Sequence, residues 1–174
     1  NQYGPTEASI EVSVYDCLLN ETETVPIGRP IQNVRLLVMD PHSEHLQLCP
    51  EWLPGELYIG GIAVTQGYLN QPNLTKERFV DNPFATKEEI AQGLNKLYKT
   101  GDLVRRQPNG NIEYLGRNDF QVKVRGYRIE LEEIEAAMQA HPRIKASCVH
   151  TVEGAGEKSL VGYYVEHAPT SSSN

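Results

Sequence analysis

The chain has 174 residues, 39% hydrophobic and 22% charged, long enough for one domain with a buried core or one domain and a small companion. This composition excludes a disordered tail, a collagen-like repeat and a disulfide scaffold. The 23 acidic and 16 basic residues leave a net charge of -7, which repels phosphate backbones and anionic lipid, so no nucleic acid and no membrane is expected among the partners.

From the N-terminus, Ile10, Val12 and Val14 alternate with Ser9, Glu11 and Ser13, the period of a half-buried strand, and the polar stretch Asn20 to Thr24 ends it. Val34 to Met39 is a more buried strand stopped by Asp40-Pro41, and Glu56 to Ile59 a third, held between Pro54-Gly55 and Gly60-Gly61. A short helix is predicted over Thr75 to Val80, capped by Asn73, preceded by Pro72 and barred from extension by Pro83. Leu97 to Gln107 and Asn111 to Gly116 flank Pro108-Asn109-Gly110, and Asn-Gly between strand-like runs predicts a hairpin with a two-residue turn. In that register Gln107 faces Ile112, Arg105 faces Tyr114 and Asp102 faces Arg117.

Past Asn118-Asp119 the character changes. Phe120, Val122 and Val124 face one way and Gln121, Lys123 and Arg125 the other, an amphipathic strand. Leu131, Ile134 and Met138 then recur at helical spacing up to His141-Pro142, with Glu residues in the first turn where they complement the helix dipole. Ala146 to Val152 and Leu160 to Val165 read as two strands joined by Gly154-Ala155-Gly156. Residues 120–166 therefore form a βαββ unit of their own, with a boundary at Asp119.

Cys17, Cys49 and Cys148 are an odd, scattered set without a C-x-x-C pair, read as reduced, buried thiols of a cytoplasmic protein. No apolar run reaches the ~18 residues of a membrane helix. The chain opens on Asn1 without a Met and closes on a Thr/Ser tail, so a segment of something longer is expected. His42-Ser43-Glu44-His45 with Cys49 matches no closed zinc set and reads as a solvated loop. Lys123, Arg125 and Arg128 make a cationic face that, on an acidic chain, suits one anionic ligand better than RNA.

Two constellations carry chemistry. In Tyr3-Gly4-Pro5-Thr6-Glu7 the turn offers an aromatic stacking face, a hydroxyl for phosphate and a carboxylate for a hard cation; the alternative is a plain loop with a solvated Glu7. In Tyr98-Lys99-Thr100-Gly101-Asp102 a glycine lets a group approach Asp102, whose carboxylate suits a ribose diol, while Arg117 across the hairpin suits a phosphate and Tyr114 donates from the same ribbon. The alternative is a cross-strand Asp102–Arg117 salt bridge on an exposed sheet.

Together these stretches resemble the adenylate-forming superfamily, specifically the amino-acid adenylation domains of nonribosomal peptide synthetases. The resemblance covers nearly the whole chain. It runs through Asn1 to Glu7, Pro26-Ile27-Gly28-Arg29-Pro30, Gly55 to Gly61 with Gly67-Tyr68-Leu69-Asn70 and Arg78-Phe79, Tyr98 to Leu103, and Gly116 to Leu131 with Glu133-Ile134-Glu135. It implies an α/β fold: residues 1–118 as the C-terminal part of the large AMP-binding subdomain, with mixed sheets and a hairpin, residues 119–166 as the start of a small βαββ lid, and 167–174 as a truncated tail.

The activity so implied joins ATP and an amino acid into an aminoacyl-adenylate, then passes the acyl group to the phosphopantetheine thiol of a peptidyl carrier domain. By resemblance Tyr3 stacks on adenine, Asn1 contacts its edge, Thr6 contacts the α-phosphate and Glu7 holds Mg2+. Asp102 takes the ribose hydroxyls, with Tyr114 and Arg117 beside ribose and phosphate. Asp119 is the hinge of the lid, and Lys123 and Gly126 lie in the segment brought in for thiolation. Gln2, Gly4, Ile10 and Glu11 line the substrate pocket; Glu11 there invites a cationic or hydroxylated side chain, or else turns to water. The runners-up are a stand-alone carboxylate ligase, such as one charging D-alanine, and a non-catalytic docking module. The family's Gly/Ser/Thr-rich phosphate loop, its amine-binding Asp and its catalytic Lys find no counterpart in these residues. No adenylation by the 174 residues alone, and an exposed apolar edge, are therefore expected.

Overall fold

A computed structural model describes residues 1–17, 24–43, 45–118, 121–124, 127–154 and 157–167. The chain divides into two compact units, Asn1–Asn118 and Asp119–Asn174. In the first, β1 (Gln2–Tyr3), β2 (Ser13–Val14) and β3 (Arg29–Pro30) form a small antiparallel sheet. A larger sheet takes β4 (Val34–Met39), β5 (Gly55–Gly61), β6 (Phe79–Asp81), β7 (Lys96–Arg106) and β8 (Ile112–Arg117). Its order is β4-β5-β7-β6, and β8 pairs with the far end of β7. Helices α1 (Pro72–Arg78) and α2 (Lys87–Ala91) flank β6 in sequence.

The alternation of β4 sends Val34, Leu36 and Val38 into the main core with Leu57 and Ile59 of β5, while Met39 joins Tyr58 and Leu97 in a second cluster. β5 is buried along its whole length, as an interior strand with both faces covered must be. The small sheet is tied to β8 by Ile27 N–H to Ile112 O at 2.8 Å and Ile112 N–H to Gly28 O at 2.9 Å.

Several expectations are corrected. The strand over residues 10–14 shrinks to Ser13–Val14, because Thr6–Ala8 form a 3-10 turn and Ser9 and Ile10 follow it at φ of 60° and 74°. Ala8 N–H and Ile10 N–H both donate to Pro5 O at 3.0 Å, bonds that no extended chain makes. The first helix starts at Pro72 rather than Thr75, since a proline without an N–H is at home in the first turn. The second, Lys87–Ala91, escapes the pattern; it rests on a capping box between Thr86 and Glu89. The thiols are free but not buried: Cys17 and Cys148 are exposed and Cys49 is half-buried.

The hairpin forms with a different turn. Gly110 N–H donates to Gln107 O at 2.8 Å and Gln107 N–H to Asn111 O at 2.9 Å, a three-residue loop in which Gly110 takes φ of 84°. A two-residue turn of the Asn-Gly kind needs positive φ at both central residues, which Asn109 lacks. Arg105 therefore faces Glu113, and Tyr114 faces Val104. Asp102 still faces Arg117, because one extra residue, Leu115, restores the register.

The second unit is ββαββ, not βαββ. β9 (Gln121–Val124) pairs with a strand that the side-chain pattern does not announce, β10 (Tyr127–Glu130), then come α3 (Leu131–Gln139), β11 (Ile144–Gly154) and β12 (Glu157–Glu166). Gln121, placed outward by the alternation, is buried and hydrogen-bonded to Glu130. Phe120, Arg125 and Gly126 lie outside the described residues.

Arg105 straddles Glu113 through Nε at 2.7 Å and Nη2 at 3.2 Å and lies over the Trp52 ring at 5.5 Å. The Arg105 hydrogen bond holds the Glu113 carboxyl below its usual 4.5. A depressed carboxylate contributes stability that is complete above 4.5 and is lost as pH falls through the lowered folded value. Thermal unfolding followed from pH 7 to pH 3 should show a smaller acid-induced drop in Tm for Glu113→Gln than for the parent; equal drops would remove this pair from the acid response.

Candidate active site

The centre of the site is an irregularity in β7. Opposite β5, Leu103 pairs with Glu56, but Lys99 pairs with Tyr58, so Thr100, Gly101 and Asp102 stand against the single residue Leu57. Two residues are in excess, and their backbone groups find other partners. Arg117 Nη2 donates to Thr100 O at 3.0 Å, and Asn118 N–H donates to Gly101 O at 2.9 Å. Gly101 N–H donates to the Glu56 carboxylate at 3.1 Å, and Asp102 N–H to Thr100 Oγ1 at 2.9 Å. The Thr100 hydroxyl in turn donates to Leu57 O at 2.7 Å. Gly101 is at φ of 76°, which a side chain adopts only at a cost.

The bulge aims Asp102 at two donors. The Tyr3 hydroxyl donates to Oδ2, and Arg117 Nη1 donates to Oδ1 at 2.8 Å. Asp102 is 6% exposed, so this ion pair is not the solvated cross-strand bridge of the alternative reading. Burial first, and the Asp102 carboxylate second, push the Tyr3 hydroxyl far above its ordinary value, which keeps it a donor throughout the physiological range. Tyr3 reaches Asp102 because β1 is fixed by Val12 N–H to Tyr3 O at 2.8 Å.

Glu7 sits on the 3-10 turn that follows. Its carboxylate accepts the Tyr68 hydroxyl at 2.8 Å, and Thr65 N–H holds its backbone oxygen at 2.9 Å. Tyr68 meets Phe79 edge-on at 5.5 Å, and Phe79 meets Tyr98 of β7 at 5.1 Å, so an aromatic chain leads from Glu7 toward the strand that carries Asp102. Burial and the Glu7 hydrogen bond push the Tyr68 hydroxyl well up.

Thr6 is exposed on the same turn, and Asn1 is exposed with Nδ2 on Pro26 O at 2.6 Å. Gln2 Nε2 donates to Glu11 Oε1 at 3.1 Å, both exposed; Ile10 is 72% exposed and Gly4 lies against the Ile10 carbonyl. Tyr114 is 37% exposed on β8. Lys123 lies in β9, its backbone paired with Arg128, while Asp119 and Gly126 lie outside the described residues. Among the described residues no three His, Cys, Asp or Glu side chains gather into a metal cluster. Glu56, Thr100 and Tyr68 were not among the expected site residues; each stands inside a motif stretch, and that position was their only signal.

Residues 1–69 match the family model of AMP-binding enzymes. Gramicidin S synthase 2 of Brevibacillus brevis is 48% identical over 95% of the chain. The chain belongs to the adenylate-forming, AMP-binding family. Two solved structures share its fold: PA1221, an NRPS protein containing adenylation and PCP domains, at 30% identity and a TM-score of 0.77 over 99% of the chain, and NpsA-ThdA, an artificially fused adenylation-PCP di-domain NRPS from Klebsiella oxytoca, at 32% and 0.73 over 97%. The chain spans 4% of the gramicidin S synthase and 34% and 30% of these two structures.

Breaking a buried ion pair on one side strands the other charge. Arg117→Ala should therefore lower the unfolding free energy by about 3 kcal/mol, and Tyr3→Phe by about 1 kcal/mol, measured as urea midpoints. Losses of a few tenths in both would show a solvated Asp102.

Proposed function

We propose that the chain is the nucleotide-binding portion of an amino-acid adenylation domain of a nonribosomal peptide synthetase, residues 1–118 belonging to the large subdomain and 119–166 to the lid. The observation that carries this reading is the convergence of Tyr3 and Arg117 on the buried Asp102, three motif residues distant in sequence. In the reaction an amino-acid carboxylate oxygen attacks the α-phosphorus of ATP, the bond to the β-phosphate bridge breaks, and pyrophosphate leaves with the electron pair. A carrier thiolate then attacks the acyl carbon and AMP departs.

Within that scheme the protein positions and neutralises; it supplies no nucleophile. Asp102 accepts from the ribose hydroxyls, and Arg117 holds its carboxylate in place. The Tyr3 ring offers a face to adenine, with Asn1 and Tyr114 at the rim of the nucleotide, and Thr6 places a hydroxyl for the α-phosphate. Glu7 suits Mg2+ as a single carboxylate ligand, because Mg2+ keeps several waters and takes its remaining oxygens from substrate phosphates. That ion neutralises phosphate charge when bound. Gln2, Gly4, Ile10 and Glu11 border the amino-acid side, where the Gln2–Glu11 pair presents a carboxylate to a cationic or hydroxylated substrate side chain. Asp119 is the hinge, Lys123 and Gly126 serve thiolation, and the partner is a carrier domain bearing phosphopantetheine.

The test is amino-acid-dependent ATP–pyrophosphate exchange. A complete adenylation domain containing these residues should exchange with one or a few amino acids, and Asp102→Ala should raise the KM for ATP at least tenfold. The isolated 174 residues should show no exchange above background. Exchange by the isolated chain would refute its expected inactivity, and an unaltered KM in Asp102→Ala would overturn the assignment of the site.

A further inference from the structure

Glu56 is a carboxylate that the proposed chemistry leaves without a task. It is 4% exposed, in the interior strand β5, where an unpartnered charge is costly. Its surroundings are specific. Oε1 accepts Gly101 N–H at 3.1 Å, Lys99 Nζ lies 3.8 Å from Oε2, and the Asn118 side chain favours the charged form of the same carboxylate. These partners belong to the bulge that aims Asp102 and to the last residue of the first unit. Gly101 stands in the bulge with no Cα partner on β5, and its amide takes the Glu56 side chain as acceptor.

We propose that Glu56 is a positioning residue for nucleotide recognition, its carboxylate holding the Gly101 amide so that the next residue, Asp102, presents its own carboxylate to a ribose diol. The inference rests on the reading of Asp102 as the ribose ligand. Reach matters more than charge: an acceptor oxygen must stand at the end of a two-methylene stem, while Lys99 and Asn118 accommodate the charge that Glu brings. Burial pushes the Glu56 carboxyl up, and Lys99, Asn118 and the Gly101 amide oppose that rise, as expected where a carboxylate is kept as an acceptor in the interior.

The test compares binding of ATP and 2′,3′-dideoxy-ATP by a complete adenylation domain, since only a ribose contact separates the two ligands. The parent should prefer ATP at least tenfold. Glu56→Gln keeps the stem and an acceptor oxygen and should retain most of that preference. Glu56→Asp, which keeps the charge but withdraws it by one methylene, and Glu56→Ala should each reduce the preference to within threefold, with melting curves confirming that the variant measured is folded. A folded Asp or Ala variant with the parent's preference would overturn the proposal, as would loss of preference in Gln with retention in Asp. A parent domain that binds both ligands alike, or neither, would overturn the ribose reading of Asp102 and this inference with it.

Discussion

The first unit depends on a demand of the backbone: an interior strand may carry two extra residues only if every displaced N–H and C=O finds a partner. In β7 the displaced groups of Thr100, Gly101 and Asp102 find Arg117, Asn118, Glu56 and the Thr100 hydroxyl. The residues that satisfy the bulge thus include one that also holds the Asp102 carboxylate, since Arg117 reaches both Thr100 O and Asp102. Site and sheet are one hydrogen-bonded object. The bulge lies between the stretch of β7 that pairs with β6 and the stretch that pairs with β8, where the ladder on that edge changes partner.

Two carboxylates flank Gly101 in this buried region, Asp102 next to it in the chain and Glu56 across the strand pair. Each has a cation within reach, Arg117 for Asp102 and Lys99 for Glu56, and the two cations differ in kind. The planar guanidinium donates to a carboxylate and a carbonyl at once, which orients what it binds; the ammonium at 3.8 Å neutralises without fixing a geometry. The division suits the two roles proposed above, since a carboxylate that is to meet a ribose needs a direction and a buried acceptor needs only to remain an acceptor.

What was legible in the sequence is what side-chain period controls. The strands over Val34–Met39 and Glu56–Ile59 and the helix at Leu131 announce themselves by alternation or by helical spacing, and the motifs announce Tyr3, Glu7, Asp102 and Arg117. What escaped is what hydrogen bonds control. The alternation of Ile10, Val12 and Val14 is genuine, yet a 3-10 turn bonded to Pro5 O and two residues at positive φ override it. Helix α2 has a capping box but only five residues, too few to show a period. Glu56 enters the sequence reading only as the first residue of its strand and a member of a motif stretch, and no local pattern records a bulge on a partner strand.

The pairing of Asp102 with Arg117 shows how a correct contact arises from an incorrect premise. A two-residue turn at Asn109-Gly110 would carry that pair along an uninterrupted ladder. The actual three-residue loop displaces the register by one, and along such a ladder Asp102 would meet Gly116 and Arg117 would meet Gly101. The guanidinium would then be one position away from the carboxylate it must hold. The extra residue at Leu115 cancels the displacement, and Gly116, at φ of 140°, follows it directly. Two irregularities of opposite effect, one in the turn and one in the strand, are therefore both required to bring the cation opposite the anion. The contact is determined by where the charges must meet, and the turn chemistry alone does not determine it.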